Sequence, residues 1–382
     1  MAFGRNRPGY TRPVPSLKIL FWGSVGALAW THLGYPVAAE IAARVRPRPV
    51  RRDEEAEPSV TVIVAAYNEE AVIERRLENL LALDYPPEKL DVVVASDASS
   101  DRTNELVLAV AAREPRVRLL DCPRGGKVAA QNLAVRETTT DVVGFSDANA
   151  IWAPDALRRL VANLADPEVA YVCGQLRLEA VAGGNQEVLY WQFEMKLREA
   201  ESRLGSVTGG NGSIYALKRA DYVEVDPRWG HDLSFPYRMV QEGRRAVYEP
   251  AAHAFEKPTP SNETEYRRKV RMFEHCWEIT LRGSMLNRLP PGYLVEIISH
   301  RLLRYGSGLL HLALLASSVA LLADGWAYGL VLAGQIALIG AAAAGVPIAR
   351  YYALVTSATV VALWNYLREG VPATWDAAEG TR

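Results

Sequence analysis

The sequence predicts an α/β domain built on a mostly parallel sheet with flanking helices, with transmembrane helices at both ends. Three observations predict it. Short β-rich apolar runs alternate with helical patterns across residues 58–283, as βαβ units do. Outside that region, residues 19–39, 305–323, 325–349 and 351–367 contain no Asp, Glu, Lys or Arg. About 20 apolar residues cross a bilayer core as a helix. Polar segments follow each of the first four strands, at the carboxyl ends where such sheets bind ligands.

Residues 1–43 hold the N-terminal segment and the first span. A basic lead of Arg5, Arg7, Arg12 and Lys18 precedes it, as in a signal peptide. The run of 21 residues exceeds the apolar core of a signal peptide, about 7–15 residues, so an anchor is expected. Arg44, Arg46, Arg48, Arg51 and Arg52 follow, which places that side in the cytoplasm. Residues 44–57, rich in Pro and Arg, form a linker.

In the domain, strands are expected at 60–66, 91–96, 117–121, 141–146 and 169–174. Helices are expected between them at 69–83, 101–113, 127–137 and 155–165. The second half is less regular. It holds a helix over 185–204, a Gly-rich loop or bent strand over 207–217, and helices over 232–242 and 263–281. Residues 284–304 read as an amphipathic interfacial segment, and 305–367 as three more spans. Four spans put Asp324 outside, Arg350 inside and the tail 368–382 outside. The chain thus reads as a multi-pass cell-membrane protein with its domain in the cytoplasm.

Composition excludes several classes. The chain has 382 residues, 49% hydrophobic, with a net charge of −1, which gives no electrostatic case for a nucleic-acid partner. Cys122, Cys173 and Cys276 lie far apart and form no disulfide framework or zinc pattern. Neither G-x-G-x-x-G nor G-x-x-x-x-G-K-[ST] occurs, which disfavours dinucleotide and P-loop chemistry. The apolar segments hold little ionisable beyond His32 and His311, which disfavours a transporter.

The strand ends carry the candidate chemistry. Asn68 and Glu69 follow the first strand, where a helix N-terminus also favours them. Asp97 follows the second, and a carboxylate there accepts from a nucleobase N–H or a ribose hydroxyl. Arg124, Gly125, Gly126 and Lys127 follow the third. Paired glycines before a helix expose N–H groups to a diphosphate. Asp147 and Asn149 follow the fourth, two residues apart, which suits a hard divalent cation such as Mg²⁺ or Mn²⁺ shared with phosphates.

These segments stand in one order and spacing, and together they resemble glycosyltransferase family 2, in its membrane-bound branch. The resemblance covers residues 58–282 and implies a GT-A fold. It implies an inverting hexosyl- or N-acetylhexosaminyl-transferase of the cell envelope. The donor would be a nucleotide sugar, first a UDP-sugar, and the acceptor a glycan or lipid-linked sugar. Ala65, Tyr67, Glu69, Asp97, Lys127 and Asp147 would bind donor, and Asp147 and Asn149 the cation. Asn211, Gly212 and His231 would meet the acceptor, and Asp232 would be the general base. Where processive members carry Q-x-x-R-W, this chain has Arg267, Arg268 and Arg271, which would face the diphosphate. His231, Asn149 and the lost Q-x-x-R-W motivate an alternative: a low-activity donor-binding partner subunit of a polysaccharide synthesis complex.

Overall fold

The computed structural model describes residues 15–178, 186–258 and 261–374. Arg5, Arg7, Arg12, Asn185 and the tail from 375 onward lie outside the described residues. The chain opens with α1 (Pro15–Ala29), a π-helical turn at Trp30–Gly34, and α2 (Tyr35–Val45). There follow β1 (Val60–Ala66), α3 (Ile73–Leu81), β2 (Leu90–Asp97), α4 (Thr103–Ala111), β3 (Val117–Cys122), α5 (Lys127–Arg136) and β4 (Val142–Asp147). Next come β5 (Ile151–Trp152), α6 (Ala156–Leu164), β6 (Val169–Leu178), α7 (Gln186–Leu204), β7 (Ile214–Lys218), α8 (His231–Gln241), β8 (Arg245–Glu256) and α9 (Asn262–Arg282). The last part holds α10 (Pro291–Glu296), a π-helical turn at Ile297–Leu302, α11 (Leu303–Tyr305), α12 (Ser307–Ala320), α13 (Trp326–Ala343) and α14 (Pro347–Glu369).

One sheet of eight strands runs β3-β2-β1-β4-β7-β6-β8-β5. β7 is antiparallel to β4 and β6, and β5 to β8; the remaining pairs are parallel. The sheet is therefore mixed, with two reversals in an otherwise parallel array. β1 reads as a near-continuous apolar run because both its faces are covered. Val60, Val62, Val64 and Ala66 pack toward α3, α4 and α6, while Ile63 packs toward α5 on the other face. The chain winds outward from β1 to β3 and then returns to β4 on β1's other side. This reversal leaves a crevice at the carboxyl ends of β1 and β4.

The apolar helices gather at one end. Phe21 of α1 packs with Leu314, Leu321 and Tyr328, and Lys18 pairs with Asp324 at 3.0 Å. Tyr35, Ala39 and Ala43 of α2 pack on Leu197 and Ala200 of α7. Among the described residues, α13 alone is long and apolar enough to cross a bilayer. Residues Pro291–Tyr305 and Ser307–Ala320 qualify together as a pair bent by 65°. The π turn divides the first apolar run, so neither α1 nor α2 reaches spanning length alone.

The run 351–367 departs from expectation. α14 lies along α9: Asn365 Nδ2 donates to Glu274 Oε1 at 2.8 Å, and Trp277 Nε1 to the Thr359 carbonyl at 3.3 Å. Beyond α14 the Ala373 carbonyl packs against Gly126, leaving no room for a Cβ there. The run expected to span thus meets α9 through the Asn365 side chain and the Thr359 carbonyl.

Candidate active site

A cavity of about 710 Å³ lies at the carboxyl end of β4; Ala65, Tyr67, Glu69 and Asp97, expected at the nucleotide, do not line it. Lys127, Asp147, His231 and Asp232 line it, with Asn211 and Gly212 from the loop before β7. These residues are distant in sequence, and the sheet brings them together. β4 ends at Asp147, in register with Ala65 of β1, which in turn pairs with Ala95 of β2. Lys127 begins α5, and Asp232 lies in the first turn of α8.

Charge is concentrated at Asp147. The Lys127 ammonium pairs with Asp147 Oδ1, and the Ser213 hydroxyl donates to Oδ2 at 3.2 Å. Burial works against the charge on Lys127, but Asp147, with Asp232 and Glu256 near, outweighs it and raises its pKa. Glu256, the last residue of β8, also lines the cavity. Burial, with Asp147 beside it, pushes its carboxyl up to about 7. Arg76 of α3 is fully buried beneath these acids, and its Nη2 donates to Ser146 Oγ at 2.8 Å.

The residues expected to bind the nucleotide lie one strand further out, outside the cavity lining. Asp97 is buried and pairs with Arg124. Its Oδ1 accepts from Gly125 N at 2.6 Å and Gly126 N at 3.0 Å. The glycine N–H groups, expected to be open to a diphosphate, are thus turned to Asp97. A buried carboxylate needs donors, and this loop supplies them. Ala98 follows with φ of +57°, a strained turn that aims Asp97 inward. Arg124 stacks over Tyr67, 3.5 Å from the ring centroid. The Glu69 N–H donates to Thr103 Oγ1 at 2.8 Å, which holds the β1 loop against α4. Asn149 stands beside the cavity and does not line it.

The glycine loop before β7 forms another wall of the cavity. The Gly210 N–H donates to the Asp232 carbonyl at 2.5 Å, and the Ser213 N–H to Asn211 Oδ1 at 3.0 Å. The Tyr171 hydroxyl fills the space where a Cβ on Gly210 would go. His231 is buried among Phe145, Tyr222 and Phe235, its Nδ1 2.7 Å from the Tyr215 hydroxyl. Burial, with Lys127 nearby, holds its pKa well below the usual range, so the ring is neutral.

The three arginines of α9 singled out from the sequence, Arg267, Arg268 and Arg271, separate. Arg268 and Arg271 line the cavity, one turn apart. Arg267 is exposed and pairs with Glu263 at 2.9 Å, so the expectation that all three face the diphosphate is corrected. The cavity meets the stripe of Arg268, Arg271, Met272 and His275, and Arg267 lies off that stripe. The cavity also extends past Arg301 and Arg304 to Ser307 of α12 and Tyr351 and Tyr352 of α14. Arg301 Nε donates to Thr208 Oγ1 at 3.0 Å, and Arg304 pairs with Glu194.

Glu256, Arg76, Arg301 and Arg304 are absent from the sequence-based set. Glu256 ends a strand at the cavity as Asp147 does, so recognising β8 would have found it. Arg76 sits in an amphipathic helix where an arginine reads as solvated. Arg301 and Arg304 fall in a segment read as interfacial.

The mixed sheet and its flanking helices match a GT-A fold. Residues 61–224 match the family model for glycosyl transferase family 2. The mannosyltransferase PcManGT from Pyrobaculum calidifontis, in complex with GDP-Man and Mn²⁺, superposes with a TM-score of 0.72 at 27% identity. The match covers 91% of this chain and 99% of that one. Poly-beta-1,6-N-acetyl-D-glucosamine synthase of Staphylococcus aureus is 26% identical over 255 residues, 63% of this chain and 61% of that protein. Beta-monoglucosyldiacylglycerol synthase of Synechocystis is 35% identical over 164 residues, 41% of this chain and 33% of that protein. The chain therefore spans about three fifths of the length of the staphylococcal synthase.

Proposed function

We propose that the chain is a membrane-bound inverting glycosyltransferase that moves a sugar from a nucleotide sugar to a lipid-linked or polysaccharide acceptor. One observation carries this reading: a single cavity holds Lys127, Asp147 and Asp232 and continues to helices of the apolar end. The names of the related proteins support it, since one complex holds GDP-Man and two relatives make a polysaccharide and a glycolipid.

In this mechanism Asp232 removes the proton of the acceptor hydroxyl, which attacks the anomeric carbon from the face opposite the nucleotide. A positioned base contributes about 10²- to 10⁴-fold. Asn211, Gly212 and His231 shape the acceptor side, His231 as a neutral wall. Ala65, Tyr67, Glu69 and Asp97 form the nucleotide side. Lys127, Arg268 and Arg271 stabilise the charge that develops on the leaving diphosphate. Asp147 and Asn149, two oxygen donors on one turn, fit a hard divalent cation, and an unpartnered buried carboxylate oxygen on Glu256 adds to that fit. Bound there, Mg²⁺ or Mn²⁺ supplies further neutralisation of the diphosphate.

Membrane attachment rests on α13, on the bent pair before it, and on exposed side chains of α1 and of the π-helical turn after it. Ile19 is 72% exposed and Leu33 70%, large apolar surfaces that lipid would cover. The Lys18–Asp324 pair then marks the outer end, and the α/β domain lies in the cytoplasm.

The test uses purified protein in lipid nanodiscs with a panel of nucleotide sugars and lipid-linked acceptors. The product's anomeric configuration is read by proton NMR. Inverted product is expected; retained configuration overturns the mechanism.

A further inference from the structure

The structure assigns Glu256 as a carboxylate ligand of the divalent cation held by Asp147, supplying the negative charge that Asn149 lacks. This rests on the cation site of the proposed function and adds a ligand that the local D-x-N pattern does not contain. Four observations carry it.

First, the sheet puts Glu256 at the right turn. β5 starts four residues after Asp147 and pairs antiparallel with β8, with Ile151 opposite Phe255. The residue after Phe255 therefore lies beside the Asp147–Ala150 turn, which is closed by the Ala150 N–H to Asp147 carbonyl bond of 3.3 Å. Second, Asp147 and Glu256 both line the cavity, and Asn149 does not. Third, the Ser213 hydroxyl lies within hydrogen-bond reach of both carboxylates. A hydroxyl has one proton, so it serves one carboxylate at a time. Fourth, Glu256 Oε1 is closed to solvent and has no hydrogen-bond partner among the described residues.

A buried carboxylate oxygen without a donor is costly, and such groups are paired or coordinate a metal. Lys127 and Arg76 already stand close to Asp147, yet neither donates a hydrogen bond to Glu256 Oε1. Two carboxylates converging on one point, with a hydroxyl between, form a hard oxygen set of the kind that Mg²⁺ and Mn²⁺ select. The chemistry also accounts for the neutral Asn149: a third acid on that turn would crowd like charges that β8 already supplies.

The experiment measures Mn²⁺ binding to the full chain in nanodiscs by electron paramagnetic resonance of free Mn²⁺, with UDP or GDP present and no acceptor. Wild-type, Glu256→Gln, Glu256→Asp and Asp147→Asn proteins are compared, and thermal melts without metal check folding. Glu256→Gln and Asp147→Asn are each expected to weaken Mn²⁺ binding at least tenfold, with Glu256→Asp between them and wild type. Mn²⁺ should raise the melting temperature of wild type and not of Glu256→Gln. Wild-type affinity in Glu256→Gln, with loss in Asp147→Asn, overturns the assignment and leaves the Asp147 site standing. Binding unchanged in both, or absent in wild type, overturns the cation site itself.

Discussion

At the scale of single residues, the site depends on close approaches that tolerate no added atoms. The Tyr171 hydroxyl occupies the space beside Gly210, so Gly210→Ala forces a core tyrosine or the acceptor loop to move. Overpacking of this kind costs about 1–3 kcal/mol. Gly210→Ala should lower the melting temperature and abolish transfer, and adding Tyr171→Phe should recover much of the stability. A melt of the double variant no better than the single one contradicts the contact. Gly212→Ala is the control, since its methyl would lie 3.7 Å from Lys127 Nζ in ordinary contact. It should keep wild-type stability. Asp147, Lys127 and Asp232 were legible in the sequence because each sits at a strand end or helix start. Glu256 was not, because its role depends on which strand lies beside β5, and no local pattern encodes that pairing.

At the scale of elements, α9 sorts its arginines by face. Arg268→Ala and Arg271→Ala should each lower turnover at least tenfold through loss of leaving-group stabilisation. Arg267→Ala, an exposed residue in a surface pair, should stay within twofold. Equal losses for all three in a steady-state assay of nucleotide release contradict this division. The βαβ half was readable because local periodicity alternates there, and β1 falls at the residues its apolar run marks. β7 and β8 were harder. β7 follows three glycines, and β8 carries Pro250 and a run of small residues; long-range pairing makes both into strands.

At the scale of the whole molecule, the apolar end and the α/β domain form one structure joined through α2, α7, α9 and α14. The cavity that starts at Asp147 ends among α12 and α14, so acceptor lipid and donor nucleotide would enter from different directions. The protein should stay with the membrane fraction through alkaline carbonate and leave it only in detergent. An epitope placed after Arg382 should be cleaved by protease on the same side as the domain, because Ala373 packs on Gly126. Protection of the epitope while the domain is cut contradicts the placement of α14. The apolar runs were visible in composition, but their partners were not: hydropathy reports length and not whether a helix face meets lipid or protein.

The most direct test of the central claim pairs two measurements on Asp232→Asn. The carboxamide keeps the shape of the side chain and removes its ability to accept a proton. Nucleotide-sugar binding, measured by calorimetry, should stay within about twofold of wild type, while transfer to acceptor falls by about 10² or more. Undiminished transfer contradicts Asp232 as the base, and loss of donor binding contradicts the separation of Asp232 from the residues that bind the donor.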